Sequence, residues 1–588
     1  MDERQWRRRR KRNGVSYAAI ILLFILILGI MAAAVYLYAE RERQLRNRYI
    51  PFYEYYARLD PSRIAVVWDD TMPELPNAPM ERGGVLYLPH DLVRGYIDEY
   101  LFWEPEHGRL TITTGEKVFK FTAGSELYTV NFYHTALLHE PFISEGGIAW
   151  LPKSFIDIFY DVEISFDPNQ SPKLLITGDP YATRLIGRIG ADGAKLRYGP
   201  GPKEPIAADL AAHENVRVFR DNLVVGRETY IKVRAGSGIT GYILNTELSE
   251  FNSFRGLERP VCEYKPPLDI TGRINMTWTV SSAVTAEPVP KGLDIVSPQW
   301  FTFDLEKLDG SINSLASEAY VRWAHEHGLL VWAMIDDVTG SPNPVNAVLT
   351  VPESRERAVA ELISLAGRFN LDGINIDFER VREADAPFYL QFLRELYPLM
   401  RERGLILSVD MLTPIRANMH YNRAEVAKTS DFVVVMAYDE HWSTSSVSGP
   451  NASISFARNA VVNTLREVPP EKLIMGIPFY VRVWRETEGE DGAVTVSQRA
   501  LSMDRAYRQF TDNGAVFEWD GASAHYYAEY TLIEDGVEAL YRVWLEDERS
   551  MEEKLKVARA NDIAGVSSWR MGLEKESIWD LIYRYMKQ

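Results

Sequence analysis

The stretch Leu371-Asp372-Gly373-Ile374-Asn375-Ile376-Asp377-Phe378-Glu379-Arg380 decides how the rest of the chain is read. Polar side chains recur at every second position, Asn375, Asp377 and Glu379, while Ile374, Ile376 and Phe378 fill the gaps. Successive side chains on a β-strand point to opposite faces, so same-face neighbours stand about 6.6 Å apart along it. One face then carries an amide and two carboxyls in a row, and the other is wholly apolar. A solvated sheet face favours Thr, Lys and mixed charges. Two acids in line repel one another without serving the fold. The pattern points to a strand that carries chemistry.

Around it, the chain from residue 270 onward alternates apolar, β-rich runs with amphipathic helical stretches such as Ser354–Ala366 and Ala386–Arg401. The runs are Ile274–Val280, Leu293–Phe303, Leu329–Ile335, Gly373–Glu379, Leu405–Met411, Phe432–Tyr438, Leu473–Phe479 and Ile563–Trp569. Eight strand-then-helix units predict an α/β fold, a (β/α)8 TIM barrel over residues 268–588. Residues 497–547, between the seventh and eighth runs, are too many for a simple connection and predict a small inserted lobe. Working residues of such barrels sit at the C-terminal strand ends. Here those ends hold Asp377 and Glu379, Tyr438 and Asp439, and Trp569 and Arg570, with Gln299-Trp300 in the second run and Asp410 in the fifth.

The N-terminus bounds the compartment. Ala18 to Tyr38 is uncharged over 21 residues, enough to cross a bilayer as a helix. A basic tail, residues 1–17, precedes it with Arg4, Arg7 to Arg10, Lys11 and Arg12. The stronger positive cluster stays in the cytoplasm, which predicts a single-pass anchor over 18–38 with the C-terminal body outside. A cleaved signal peptide is the alternative, since Ala32-Ala33-Ala34 offers small residues, but a cleavable apolar core runs to only about 7–15 residues. Residues 39–70 read as a stalk.

Composition narrows the function. The chain is 46% hydrophobic and 25% charged, ordinary for globular protein, with a net charge of −17. Residues 1–48 hold eleven Lys/Arg against four Asp/Glu, so the remainder is more acidic than the whole and unsuited to nucleic acid. The single Cys262 excludes an internal disulfide framework and a CxxC site, and the ten histidines lack ligand spacing. Neither a metal nor a cofactor is expected.

Between anchor and barrel lies a two-copy repeat. Gly83-Gly84-Val85-Leu86-Tyr87-Leu88-Pro89 returns as Gly146-Gly147-Ile148-Ala149-Trp150-Leu151-Pro152, each copy a turn, a short strand and a Pro that opens a helix. It resembles the small α/β module called the copper amine oxidase N-terminal-like domain, over 71–180, without copper ligands. Residues 190–250 change to short strands and Gly turns, including Leu196-Arg197-Tyr198-Gly199-Pro200 and Gly241-Tyr242-Ile243, and resemble a bacterial SH3-like β-barrel. Wall binding and a structural spacer are both open for these modules. Glu263-Tyr264-Lys265-Pro266-Pro267 reads as a stiff linker.

The barrel itself resembles a family 18 glycoside hydrolase. The signature D-G-x-D-x-D-x-E is met by Asp372 to Glu379 with one departure, Asn375. M-x-Y-D is met by Met436-Ala437-Tyr438-Asp439, and the last-strand tryptophan by Trp569. Gly476-Ile477-Pro478-Phe479-Tyr480 and Gly565-Val566-Ser567-Ser568-Trp569-Arg570 look closest to the branch of bacterial spore cortex-lytic and germination-type N-acetylglucosaminidases. The resemblance implies hydrolysis of β-linked N-acetylglucosamine with retention, the substrate's own acetamide oxygen acting as nucleophile. Such chemistry needs one proton donor, a role that suits Glu379. Asp377 would accept the acetamide N–H and, by its charge, raise the pKa of Glu379. Tyr438 would donate to the acetamide oxygen, completing the catalytic set. Asp439 would hold substrate or Tyr438, and Trp569 would offer an apolar floor to the sugar. Asn375, Gln299, Trp300 and Met436 complete the expected substrate-contacting set, Met436 also filling the barrel. In the family the acid at position 375 shares a proton with the middle one. Asn375 cannot take that proton, but would hold Asp377 by a hydrogen bond. The expected substrate is peptidoglycan, held near by the anchor. Chitin is the alternative, and a non-catalytic glycan-binding protein is the reading from another class.

Overall fold

The computed structural model describes residues 17–588 except 52–53, 55–59, 61, 70, 170–172, 180–183, 255–267, 281–288, 339–342, 490–491 and 535. The basic tail before residue 17, Cys262 and the 263–267 linker lie outside the described residues. The chain divides into two units, one of residues 1–101, 123–126 and 138–261, the other of 102–122, 127–137 and 262–588.

The first unit starts with the helix Tyr17–Arg46, long and apolar enough to cross a membrane, none of whose residues is buried. The repeat forms a four-stranded antiparallel sheet in which Val85–Pro89 and Ile148–Pro152 are the central pair. Each copy turns on its two glycines, all four with positive φ, the geometry of a two-residue type I′ hairpin. Pro89 and Pro152 then cap the helices His90–Tyr96 and Lys153–Phe159. From Arg184 to Phe254 runs a seven-stranded antiparallel sheet with its own core of Ile189, Leu196, Val216, Val233 and Ile243, wider at each end than the expected 190–250.

The second unit is built on eight parallel strands: β1 Ile274–Thr279, β2 Ile295–Phe303, β3 Leu330–Asp336, β4 Gly373–Asp377, β5 Ile406–Leu412, β6 Phe432–Met436, β7 Leu473–Pro478 and β8 Gly565–Trp569. Each pairs with its neighbours in sequence, and β8 pairs with β1, so the sheet closes into a barrel. Period-2 alternation sorts the side chains. Met276, Trp278, Trp332, Met334, Phe432 and Val434 fill the inside, while Val331, Ala333, Ile374, Ile376, Val433 and Val435 pack outward in the main core. Burying both faces is what the nearly continuous apolar runs reflect.

Two additions surround the barrel. One is a five-stranded antiparallel sheet from Tyr480–Glu488 to Val537–Leu545 with the helix Met503–Asp512. It begins directly after β7, ahead of the expected 497. Tyr480 to Trp484 is as buried as β7, so no break in hydrophobicity marks its start. The other is a five-stranded antiparallel sheet between Phe102 and Leu137, inside the span expected to be one repeat module but grouped with the barrel. Its Glu104 takes two hydrogen bonds from Arg355, at 3.1 and 2.6 Å, and its Lys120 pairs with Glu395 at 2.7 Å. All four side chains are buried.

Candidate active site

β4 sits between β3 and β5, with Asp336 level with Asp377 and Asn375 level with Ser408. The side chains turned inward therefore change along the axis, from hydrocarbon in the lower barrel to acids at the C-terminal mouth. Above that mouth lies a cleft of about 860 Å3, whose lining includes Trp278, Asp377, Glu379, Asp410, Tyr438, Asp439 and Trp569. Glu379 lies two residues beyond the end of β4. Its backbone N–H and that of Arg380 donate to the Asp337 carboxylate, at 2.8 and 3.0 Å, which fixes the turn carrying the acid.

The amide of Asn375 is fully engaged. Its oxygen accepts from Trp278 Nε1 at 2.9 Å and Ser297 Oγ at 3.3 Å, and its nitrogen donates to Ser408 Oγ at 3.0 Å and Asp410 Oδ1 at 2.8 Å. The expected bond from Asn375 to Asp377 is not made. Same-face neighbours on one strand stand about 6.6 Å apart, whereas adjacent strands lie about 4.8 Å apart, so the amide reaches sideways to β5. Asp377 Oδ1 and Asp410 Oδ2 are both buried with no hydrogen-bond partner.

Burial pushes the Asp377 carboxyl well above the usual carboxylate range, and the charges of Glu379, Asp410, Asp337 and Asp336 add to it. Asp410 is pushed up chiefly by burial, against hydrogen bonds from Asn375 and Trp278. Glu379 is raised to about 7, by burial first and then by Asp337, Asp439 and Asp336, with Arg380 opposing. Burial and the acids Asp337, Asp439 and Asp336 raise Glu379, and the charges of Glu379 and Asp377 also oppose one another.

At the facing rim Tyr438 meets Trp278 and Tyr480 edge-on, and burial keeps its phenol far from ionising, a donor at any ordinary pH. On β7, a side chain at Gly476 would meet Tyr438 Cε1 at 3.1 Å and the Val435 carbonyl at 3.2 Å, so glycine makes room for the ring. Asp439, with φ of 61°, holds Tyr480 and Arg482 rather than Tyr438. The Tyr480 hydroxyl donates to it and Arg482 pairs with it at 2.5 Å. Trp569 stands edge-on to Trp278 with ring centroids 5.8 Å apart.

Of the remaining expected contacts, Gln299 lines the cleft and donates to Asp336 at 2.9 Å, and Met436 lines it while filling the barrel. Trp300 does not reach the cleft. It is buried on the helix side of β2 against Tyr320, because alternation sends neighbours to opposite faces. Residues that the sequence reading left out are Trp278, Asp336, Asp337, Tyr480 and Arg482. Asp336 and Asp337 follow directly on the third apolar run, so their place at a barrel strand end was a usable signal. Arg482 comes from the lobe, and no signal in the barrel pattern points to it.

The model of glycosyl hydrolases family 18 matches residues 299–574, which run from within β2 to just past β8 and include every rim residue described except Trp278. The chain carries a family 18 glycoside hydrolase domain. The copper amine oxidase N-terminal domain model matches residues 67–173. The uncharacterized glycosylase YvbX of Bacillus subtilis is 26% identical over 299 residues, 49% of this chain and 83% of that protein. The cortical fragment-lytic enzyme of Bacillus subtilis is 29% identical over 238 residues, 39% of this chain and only 53% of that protein. The crystal structure of the spore cortex-lytic enzyme SleL of Bacillus megaterium covers 59% of this chain and 77% of its own at 18% identity, with a TM-score of 0.47.

Proposed function

We propose that this glycoside hydrolase cleaves β-linked N-acetylglucosamine in peptidoglycan by a retaining, substrate-assisted mechanism, with Glu379 as proton donor. The observation that carries the reading is the pair Asp377 and Glu379 on one cleft, the second held protonated up to about pH 7. Most glycosidases flank the scissile bond with two carboxyls of opposite duty. Here the inner one is boxed in by other acids and is better suited to accept an acetamide N–H than to attack a sugar. The acetamide oxygen attacks C1 as Glu379 gives its proton to the leaving oxygen. Water then opens the oxazolinium and returns a proton to Glu379. Tyr438 donates to the acetamide oxygen, and the sugar lies on Trp569.

Peptidoglycan is favoured over chitin on two grounds. The relatives include cortical fragment-lytic enzymes. In addition, Arg570 lines the cleft beside Trp569 with no ion pair among the described residues, a cation for which uncharged chitin has no partner but a muramyl chain has carboxyls. Chitinases among the relatives keep the chitin reading as the alternative. The helix Tyr17–Arg46 would anchor the protein in the cell membrane, N-terminus cytoplasmic and body extracellular, with the repeat and the seven-stranded sheet as spacers or wall-binding modules. The test is release of N-acetylamino sugar by purified residues 49–588 from wall fragments and chitooligosaccharides. Glu379→Gln should lose about 10²-fold or more. An inert wild type, or a variant of equal rate, would leave only glycan binding without turnover.

A further inference from the structure

We propose that Asp410 on β5 is the positioning residue of the cleft, the proton partner of Asp377, so that the two carboxyls hold one proton between them across the β4–β5 pair. The last paired positions of these strands are Ile376 and Val409, and Asp377 and Asp410 each stand one residue further on. Both side chains lie on the inward face, at 5% and 2% exposure. Each has one buried oxygen without a partner, Asp377 Oδ1 and Asp410 Oδ2, and Asn375 clamps the other oxygen of Asp410 at 2.8 Å.

The groups facing the pair admit no second answer to its charge. β1 contributes the Trp278 N–H, β3 contributes Asp336 and Asp337, β4 contributes Asn375 and Glu379, β5 contributes Ser408, and the β6 end contributes Tyr438. None of these is a cation. Of the cations that line the cleft, Arg482 pairs with Asp439, and Arg570, just past β8, makes no hydrogen bond or ion pair to either carboxyl among the described residues, while Arg380 acts on Asp337 and Glu379. Two buried carboxyls side by side without a cation cannot both ionise, and the stable state is a dyad that shares one proton. Unpartnered oxygens on two carboxyls at equivalent positions of neighbouring strands are what such a dyad presents.

The inference rests on the proposed hydrolase reading and adds a step to it. At rest the dyad carries one proton and one negative charge. As the acetamide oxygen bonds to C1 and the C1–O bond breaks, the proton of Glu379 leaves with the departing oxygen. The dyad proton then sits on Asp410, and Asp377, as carboxylate, accepts the acetamide N–H and faces the positive oxazolinium. When water adds, its proton goes to Glu379 and the dyad relaxes. No proton enters or leaves the pair overall. Asn375, by donating to Asp410 Oδ1, favours the proton on Asp377 at rest, and the developing positive charge then draws it across to Asp410.

Two measurements test this. In the first, Asp410→Asn, which preserves shape and still accepts from Asn375, is assayed against pH. Without the shared proton Asp377 ionises at lower pH, and its charge raises Glu379. Both limbs of kcat/KM should move, the acidic one down and the basic one up by about a unit or more, with kcat falling at least tenfold. A wild-type rate with an unmoved profile overturns the proposal. An inert wild type sinks the hydrolase reading instead. The second measurement needs no turnover. Infrared difference spectra at pH 7.5 compare Glu379→Gln, which lacks the donor's own acid band, with Glu379→Gln/Asp410→Asn. A protonated carboxyl band present in the first and absent in the second is expected, and a band unchanged between them overturns the proposal. Should the double variant not fold, Glu379→Gln alone decides, since no protonated carboxyl at pH 7.5 would end the idea.

Discussion

Glu379 shows how a residue's environment sets both its work and its cost. Its carboxyl has an ordinary pKa near 4.5 and is raised to about 7, first by burial and then by Asp337, Asp439 and Asp336. Below about pH 4.5 the group is protonated in folded and unfolded chains alike. Between there and about 7 the folded chain keeps a proton that the unfolded chain has released, so stability falls as pH rises through that window and the deficit is complete above it. Glu379→Gln should therefore be more stable than wild type at pH 8, by about 1–3 kcal/mol, and equal to it at pH 4. Urea unfolding at the two pH values measures this, and equal stability at both would mean the acid is not strained. The basic limb of kcat/KM should fall near pH 7 as the free enzyme loses this proton. Asn375→Asp tests the neighbouring position. It replaces a donor to Asp410 and Ser408 with an acceptor, and should cost about 1–3 kcal/mol at neutral pH, less in acid, where the new carboxyl stays protonated. Unchanged denaturation midpoints would show the amide to be dispensable. The pair of acids was legible in the sequence because alternation alone puts Asp377 and Glu379 on one face. The partner of Asn375 was not, because the nearest neighbour of an inward residue lies on the next strand, which a single stretch does not name.

At the scale of elements, the eight barrel strands fall within two residues of the eight apolar runs, since a strand covered on both faces must be apolar nearly throughout. Where the pattern misled, geometry explains it. Gln299 and Trp300 were read as a pair facing the cleft, but neighbours on β2 face opposite ways. The lobe escaped at its start because Tyr480–Glu488 continues the buried character of β7 without a turn signal. What ties this lobe down is equally invisible in the sequence. At its base His525 meets Glu546 at 3.1 Å, and Glu546 takes a 2.8 Å ion pair from Lys554 on the helix Glu548–Ala560, all three buried. Burial pushes the Glu546 carboxyl up, but Lys554 and His525 outweigh it and hold it down at about 2. Its stabilisation is then full above about pH 4.5 and lost as pH falls toward 2. Glu546→Gln leaves Lys554 buried and charged, and should cost about 3–5 kcal/mol at pH 7 with a flatter acid side to the stability curve. A loss below about 1 kcal/mol would assign the joint to apolar packing instead.

For the whole molecule, the order apolar helix, repeat and seven-stranded sheet, then hydrolase barrel could be followed in the sequence from local patterns alone. The grouping of residues 102–122 and 127–137 with the barrel could not, because it depends on side chains about 250 positions apart meeting in space. In that junction Arg355 and Glu395 are held by each other at 3.0 Å, and each also by a residue of the small sheet, Glu104 and Lys120 respectively. Charge balances over these four, and the partly exposed Glu356 also pairs with Lys120 at 3.2 Å. Lys120→Met removes one cation and leaves Glu395 with Arg355, which Glu104 also claims. Glu104→Gln removes one anion and leaves Arg355 to share Glu395 with Lys120. Each single change unbalances a buried cluster and should cost about 3–5 kcal/mol. The double change leaves the buried part of the cluster as the neutral pair Arg355–Glu395, with Glu356 at its exposed edge, so its cost should fall short of the sum of the singles by about 1–3 kcal/mol. Chemical denaturation of residues 49–588 followed through barrel tryptophans reads all three variants, and none of these residues lines the cleft, so activity at 25 °C should hold. Strictly additive costs would mean that the four groups act as two separate pairs. Negligible costs would mean that apolar contacts such as Phe102 on Phe388 hold the small sheet to the barrel by themselves.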